Sequence, residues 1–249
     1  MKKKILYAAL ALAGLIILAA VGFRVYTGML AGSGEATREV QAERIDPEER
    51  EIGSVQYGVV SGDSDESQAR FFIEEVIFGE DNLVVGTTDQ LDGSIVLSFE
   101  QGTVDIGQFE INMRTIRTRS EDVDFEDSDL SDAERDEVIR AHILESGRDE
   151  YEFSTFNPTS VSGTPESFEP GDVLDLVVTG DLTVRDVTSS VDFDMEIVIE
   201  SEERITGTAT TTILWDDFDI SVPHIGGESK VASVGDEVDL ELDFVAVAE

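Results

Sequence analysis

Cysteine is absent from this 249-residue chain, and histidine occurs only twice. The missing thiol excludes a disulfide scaffold, a thiol nucleophile, a thiolate metal site and a cysteine-borne lipid anchor. Positive charge is scarce: 17 Lys and Arg face 55 Asp and Glu, a formal net charge of -38. Nucleic-acid binding relies on basic surface that displaces counterions, so that function class is excluded. Catalytic signatures are missing too. There is no G-x-S-x-G elbow and no glycine-rich phosphate loop, and His142 and His224 fit neither H-E-x-x-H nor H-x-x-x-H spacing. Carboxylates are so abundant that no pair stands out as acid and base. The chain is read as non-enzymatic, without a required cofactor or metal; a hydrolase is the weakest of the alternatives.

What is present is a hydrophobic content of 41%, enough for one sizeable core. The charge is unevenly placed. Residues 1–30 carry Lys2, Lys3, Lys4 and Arg24 and no acid, so residues 31–249 hold 55 acidic and 13 basic residues, a net of -42. Lys230 is the one lysine in that region. Such a surface suits a high-salt environment, where screening relieves self-repulsion; simple solubility is the other explanation. The uncharged run from Ile5 to Phe23 follows the three lysines and nearly matches a bilayer core of about 30 Å. It predicts a retained transmembrane helix, a single-pass anchor at the cell membrane with everything after it extracytoplasmic. The alternative is a cleaved signal and a secreted product. Residues 31–53 read as a flexible linker of mixed charge, and residues 54–249 as the folded domain.

In that domain the periodicity is two. Val191, Phe193, Met195, Ile197 and Ile199 alternate with Asp192, Asp194, Glu196, Val198 and Glu200, and Val238, Leu240, Leu242 and Phe244 alternate with acids. Further strand-like runs cover 55–60, 69–78, 82–88, 95–99, 104–118, 151–162, 174–178 and 206–215. One segment departs from this pattern: Ser131 and Glu134 have capping-box spacing, and Val138, Ile139, Ile143 and Leu144 form an apolar stripe ahead of Gly147. Many antiparallel strands with acidic outer faces predict an all-β barrel with one short α-helix, because closure removes exposed edges.

Three features bear on function. The acidic run Glu121, Asp122, Asp124, Glu126, Asp127, Asp129 and Asp132 lacks the glycine and glutamate of a calcium loop and reads as a solvated face, with weak Ca²⁺ or Na⁺ association as the alternative. Arg114, Arg117, Arg119, Arg135, Arg140 and Arg148 either pair with the abundant acid or form a positive rim for a ligand's polar head. The 13 phenylalanines either fill the barrel or line an elongated apolar pocket.

The run Gly180 to Phe193 resembles the stretch G-x-L-T-(I/V)-x-x-V-T-x-x-V-x-(F/L) of YceI-like proteins, the extracytoplasmic polyisoprenoid-binding family. Glu66 to Phe71 is similar to the family's opening strand. Arg135 to Leu144 with Glu150 to Phe156 resembles its arginine-aspartate helix and the strand after it, Asp216 to Ile220 its D-F-G-type strand, and Gly235 to Leu240 its last strand. Departures include Glu152 where proline is usual and Asp216 and Asp219 where arginine and glycine are usual. The resemblance covers about residues 54–247. It implies an eight-stranded antiparallel lipocalin-like barrel with a helix across one end, and a tunnel for an isoprenoid-type lipid such as a quinone or polyprenyl chain. The ligand-binding residues it suggests, with strand parity, are Phe71, Ile73, Leu97, Phe109, Phe153, Phe156, Leu182, Phe193 and Phe218. The alternative function is an envelope structural or stress-related module with a side-chain-filled barrel.

Overall fold

Alternating apolar and acidic residues set the strands of this structure, a computed structural model that describes residues 22–62, 66–77, 79–120, 132–222 and 232–249. Among the described residues there are twelve strands: β1 (Val55–Val59), β2 (Gln68–Ile77), β3 (Glu80–Thr88), β4 (Leu91–Ser98), β5 (Thr103–Asn112), β6 (Arg117–Ser120), β7 (Phe153–Ser162), β8 (Val173–Val184), β9 (Val187–Ser201), β10 (Arg204–Leu214), β11 (Ala232–Val234) and β12 (Glu237–Ala248). Eight of them form a closed antiparallel ring in the order β1-β4-β5-β7-β8-β9-β10-β12, sealed where Val59 of β1 meets Ala246 of β12. The first half of β12 pairs instead with β2, Leu240 opposite Phe71, and the wall continues through β3 to β6. Closure leaves the ring no free edge, as the acidic, amphipathic strands suggested.

Local chemistry explains the joints. The β8–β9 hairpin turns on Arg185 and Asp186, both with positive φ (53° and 61°), the conformation a two-residue turn needs to match strand twist. Neither is glycine, so the turn is strained, and the Arg185 guanidinium holds it by donating to the Ile143 carbonyl at 2.9 Å and to the Glu145 carboxylate. Pro158 lies in β7 beside a register shift, where a missing N–H is tolerated. The expected run over 104–118 is interrupted: the Asn112 side chain accepts from the Arg114 N–H at 2.9 Å and starts a 3₁₀ turn over Met113–Thr115.

Two helical segments lie at one end of the ring. Residues 22–31 are helical and are called α1; α2 is Asp132–Val138 and passes into a π turn over Ile139–Ile143, with the Leu144 N–H donating to the Ile139 carbonyl at 2.8 Å. Ser131, the expected cap, lies outside the described residues. So do residues 1–21, Phe78, the acidic run from Glu121 to Asp129, His224 and Lys230. Among the described residues no helix is long and apolar enough to cross a membrane. The Ile5–Phe23 run read as a spanning helix lies outside them apart from its last two residues.

The stretch read as a flexible linker is bonded along the barrel wall. Residues 32–46 have no regular secondary structure, yet the backbone N–H groups of Thr37, Gln41 and Ala42 donate to Glu152, Glu110 and Asp92 at 2.7, 2.7 and 2.8 Å. Arg38 forks onto Glu110 at 2.8 Å, and Arg44 onto Asp92 at 3.0 Å. All three carboxylates are buried. Charge-assisted hydrogen bonds hold this strap, which its hydropathy could not reveal.

Candidate functional site

The core is divided between two ends of the barrel. At the end away from the helices, Tyr57, Leu97, Ile199 and Ile205 are wholly buried and Phe99 meets Phe168 edge-on at 5.6 Å, leaving a packed plug. Toward the helices the interior opens into a cavity of about 670 Å³. Its walls come from alternate residues of the strands: Phe71 and Ile73 on β2, Phe109 and Ile111 on β5, Phe156 on β7, Leu182 and Val184 on β8, Phe193 and Met195 on β9, Ala209 and Ile213 on β10, and Leu240 and Leu242 on β12. Val138, Ile139, Ile143 and Leu144 close it from the helical side, so the stripe forms part of the wall. Phe156 and Phe193 meet edge-on with centroids 4.9 Å apart. Gly86 makes room for Phe71: a Cβ there would collide with the Phe71 ring, so the bare backbone lets the ring lie against β3.

The mouth is polar and of mixed sign. Arg24, Arg135, Glu75, Glu134, Glu137 and Asp236 border it. Arg24 pairs with Glu134 at 2.6 Å; on the outer face of the wall, opposite Phe71 and Leu242, Arg70 pairs with Glu241 and with Asp243 at 2.6 Å. Burial draws the Arg70 pKa down, but the hydrogen bonds and fields of Asp243 and Glu241 outweigh it and leave it raised. Trp215 supplies both wall and brace, its indole N–H donating to the Gly235 carbonyl at 2.8 Å. The site offers apolar enclosure with a small charged rim. Among the described residues no cluster of three or more His, Asp or Glu is arranged to hold a metal ion.

A family model for the YceI-like domain matches residues 61–246. The chain belongs to the YceI-like family. Among solved structures, a polyisoprenoid binding domain from Saccharophagus degradans implicated in plant cell wall breakdown is similar in fold: TM-score 0.52, 15% identity, 78% of this chain and 99% of that one covered. BcnA from Burkholderia cenocepacia is 13% identical with a TM-score of 0.41, covering 73% of this chain and 96% of its own. The Campylobacter jejuni YceI protein is 17% identical with a TM-score of 0.45, covering 66% and 84%. No curated protein matches this chain.

Within the YceI-like barrel, six of the nine residues suggested from sequence share the cavity wall: Phe71, Ile73, Phe109, Phe156, Leu182 and Phe193. The other three lie elsewhere. Leu97 belongs to the packed plug, where inward parity does not mean access to the cavity. Phe218 is buried in the core in the 3₁₀ turn Trp215–Phe218, outside the cavity wall. Phe153 faces the strap, its ring capped at 3.6 Å by the Arg38 guanidinium. It stands three residues from Phe156, and an unbroken strand puts such residues on opposite faces.

The six arginines do not gather into one positive rim. Of them only Arg135 borders the cavity, beside Glu75 at 3.9 Å and Asp132 at 3.7 Å. Arg114 is buried and donates to the carbonyls of Ser146 and Gly147 and to Asp149, with Glu152 at 3.2 Å. Arg117 donates to the Gly34 carbonyl at 2.9 Å, and Arg148 pairs with Glu145 and Glu150. Arg140 is buried close to Arg117, and desolvation with that like charge lowers its pKa. Arg24, at the mouth beside Arg135, carries no motif; its place follows from the docking of α1.

Proposed function

We propose that this YceI-like barrel binds an isoprenoid-type lipid, a quinone or polyprenyl chain, noncovalently and outside the cytoplasm. The cavity carries the reading: it is about 670 Å³, walled by Phe, Leu, Ile, Val and Met side chains, and open at one end onto a charged rim. Its size falls in the roughly 300–1,000 Å³ range of small-molecule sites. A tail burying roughly 300 Å² gains about 7 kcal/mol at about 25 cal/mol per Å², before ordering costs, enough for micromolar binding without a charged anchor. The fold shared with a polyisoprenoid binding domain supports the same ligand class. An unfilled interior speaks against the structural-module alternative, because a barrel serving only as scaffold gains stability by packing its own side chains. The role is binding and not catalysis, and the uncharged Ile5–Phe23 segment supports a membrane-held protein with its barrel extracytoplasmic.

The test is organic extraction and mass spectrometry of the purified full chain, followed by titration with a long-chain quinone and its tail-truncated analogue. Co-purified isoprenoid and at least tenfold weaker binding of the truncated compound are expected. Equal affinity for the two compounds rejects the tail-in-barrel reading.

A further inference from the structure

Helix α1 is docked on the barrel. Its inward face follows helical spacing: Phe23, Thr27 and Ala31 stand four residues apart. Phe23 stacks on His142 with centroids 6.1 Å apart, and the Thr27 hydroxyl lies 3.3 Å from the His142 ring nitrogen. Arg24 pairs with Glu134 of α2, and Ala31 is wholly buried. Gly147 permits the approach, since a Cβ there would collide with the Leu30 carbonyl. Phe23, Arg24 and Thr27 are themselves part of the cavity lining, so α1 forms one side of the mouth.

The opposite face of α1 is apolar and uncovered. Of the ten exposed large hydrophobic residues among those described, four lie on α1, and three of these, Val25 at 56%, Tyr26 at 57% and Met29 at 79% exposure, stand on this face, with Phe23 at its edge by the mouth. The others are scattered over loops and strands. Such a concentration marks a contact surface. It is continuous in sequence with the uncharged run that begins at Ile5, and a segment of that length and composition partitions into lipid. The rest of the molecule carries a dense acidic coat that resists close approach to an anionic bilayer.

We propose that α1 seats the open end of the barrel against the lipid surface, so that the ligand passes between bilayer and cavity alongside Phe23 without crossing bulk water. This deepens the lipid-binding reading above and rests on it. The occupant of the exposed α1 face is then the bilayer itself, with Val25, Tyr26 and Met29 at the interface, and the barrel end at the β9–β10 turn points away from it. An isoprenoid tail has a large transfer cost into water, and a mouth held at the membrane removes that step.

The cysteine-free chain makes the test direct. Ala133→Cys on α2 and Glu203→Cys at the far turn are both exposed and outside the cavity wall. Each is labelled with an environment-sensitive fluorophore in the full-length protein, reconstituted into phosphatidylcholine vesicles containing spin-labelled lipid. Quenching at least threefold stronger at position 133 than at 203 is expected. Equal quenching, stronger quenching at 203, or none at either position overturns the proposal. Before reconstitution, part of each purified sample is extracted for bound isoprenoid lipid, which separates the two readings. Lipid recovered with symmetric quenching rejects the seating and leaves binding intact; asymmetric quenching without recoverable lipid rejects binding, and with it the exchange route.

Discussion

Glu152 binds Thr37 at two points, accepting from its backbone N–H at 2.7 Å and from its hydroxyl at 2.5 Å, across a separation of 115 residues. The carboxylate is fully buried, and the Asn112 amide at 2.9 Å and the Arg114 guanidinium at 3.2 Å share it. One acid therefore ties the strap to the strand and the turn that support the cavity end of β5. The sequence departure at this position, acid in place of the family's usual proline, has a structural purpose: it supplies the acceptor for the Thr37 backbone and hydroxyl donors of the strap.

Glu152→Ala leaves a buried arginine, an amide and a backbone donor without their shared acceptor. A loss of about 3 kcal/mol or more in urea unfolding is expected, with faster proteolysis within residues 31–53. Glu152→Gln keeps the shape and one acceptor oxygen and falls between the two. Glu150→Ala, at an exposed ion pair with Arg148, changes stability by less than about 0.5 kcal/mol. Unchanged unfolding of Glu152→Ala sinks this account of the strap.

Tyr57 is wholly buried in the plug, and its hydroxyl donates to the Glu202 carbonyl at 3.0 Å. Burial, with the Glu202 charge, pushes its pKa up to about 12, from an ordinary value of 10.0. The unfolded chain therefore releases this proton at lower pH than the folded one. Tyr57's contribution is complete below pH 10 and is lost as pH rises through about 12. Urea midpoints between pH 9 and 12 should fall more steeply for the native chain than for Tyr57→Phe. The variant should lose about 1 kcal/mol at pH 7 through the missing hydrogen bond. Parallel slopes above pH 10 would contradict the raised phenol.

Asp175 of β8 stands directly across from Glu196 of β9, two exposed acids in register. Like charges in that position repel, and salt relieves the repulsion. Asp175→Lys is expected to stabilise the barrel by about 0.5 kcal/mol at 0.05 M NaCl, as order of magnitude. The gain should shrink toward zero near 2 M, while the native chain itself becomes more stable over the same range. If the native chain is indifferent to salt, tuning to high ionic strength fails as an explanation of the acidity and solubility remains. A KCl and CaCl₂ series at matched ionic strength separates screening from a specific cation effect.

Strand positions were legible because burial on one face imposes a period of two, and β9 shows this: its residues alternate in exposure from Val187 through Ile199. The helix stripe was legible for the same reason at helical spacing. Parity gives direction but not depth, so Leu97 and the wall residue Phe193 look alike in sequence although one is in the plug and the other in the cavity. The strap was illegible because many of its contacts are made by backbone donors, which every residue but proline has, and by two arginines with no motif around them. The acceptors Asp92, Glu110 and Glu152 are three acids among 55, and only the fold brings them under one segment. Likewise, nothing about Arg24 or Thr27 in an apolar N-terminal segment announces a cavity mouth.

Ala209 offers the sharpest test of whether the cavity is a binding site. It lies on β10 between Met195 of β9 and Leu242 of β12, is almost wholly buried, and faces the open interior. Ala209→Phe projects a ring into space of about 670 Å³ without adding charge. Extra apolar burial should hold or raise stability, by about 1 kcal/mol where the ring packs without strain. Binding of a long-chain quinone should weaken at least tenfold, since the ring occupies volume the tail needs. Val177→Phe, on the outer face of β8, should change neither quantity. Calorimetric titration with parallel thermal unfolding reads both effects. If Ala209→Phe gains stability and binds the quinone as the native chain does, the tail does not enter this cavity. A variant that loses stability by several kcal/mol would instead show a wall too rigid to admit a ring, and Ala209→Leu, with a smaller side chain, then repeats the comparison on the same terms.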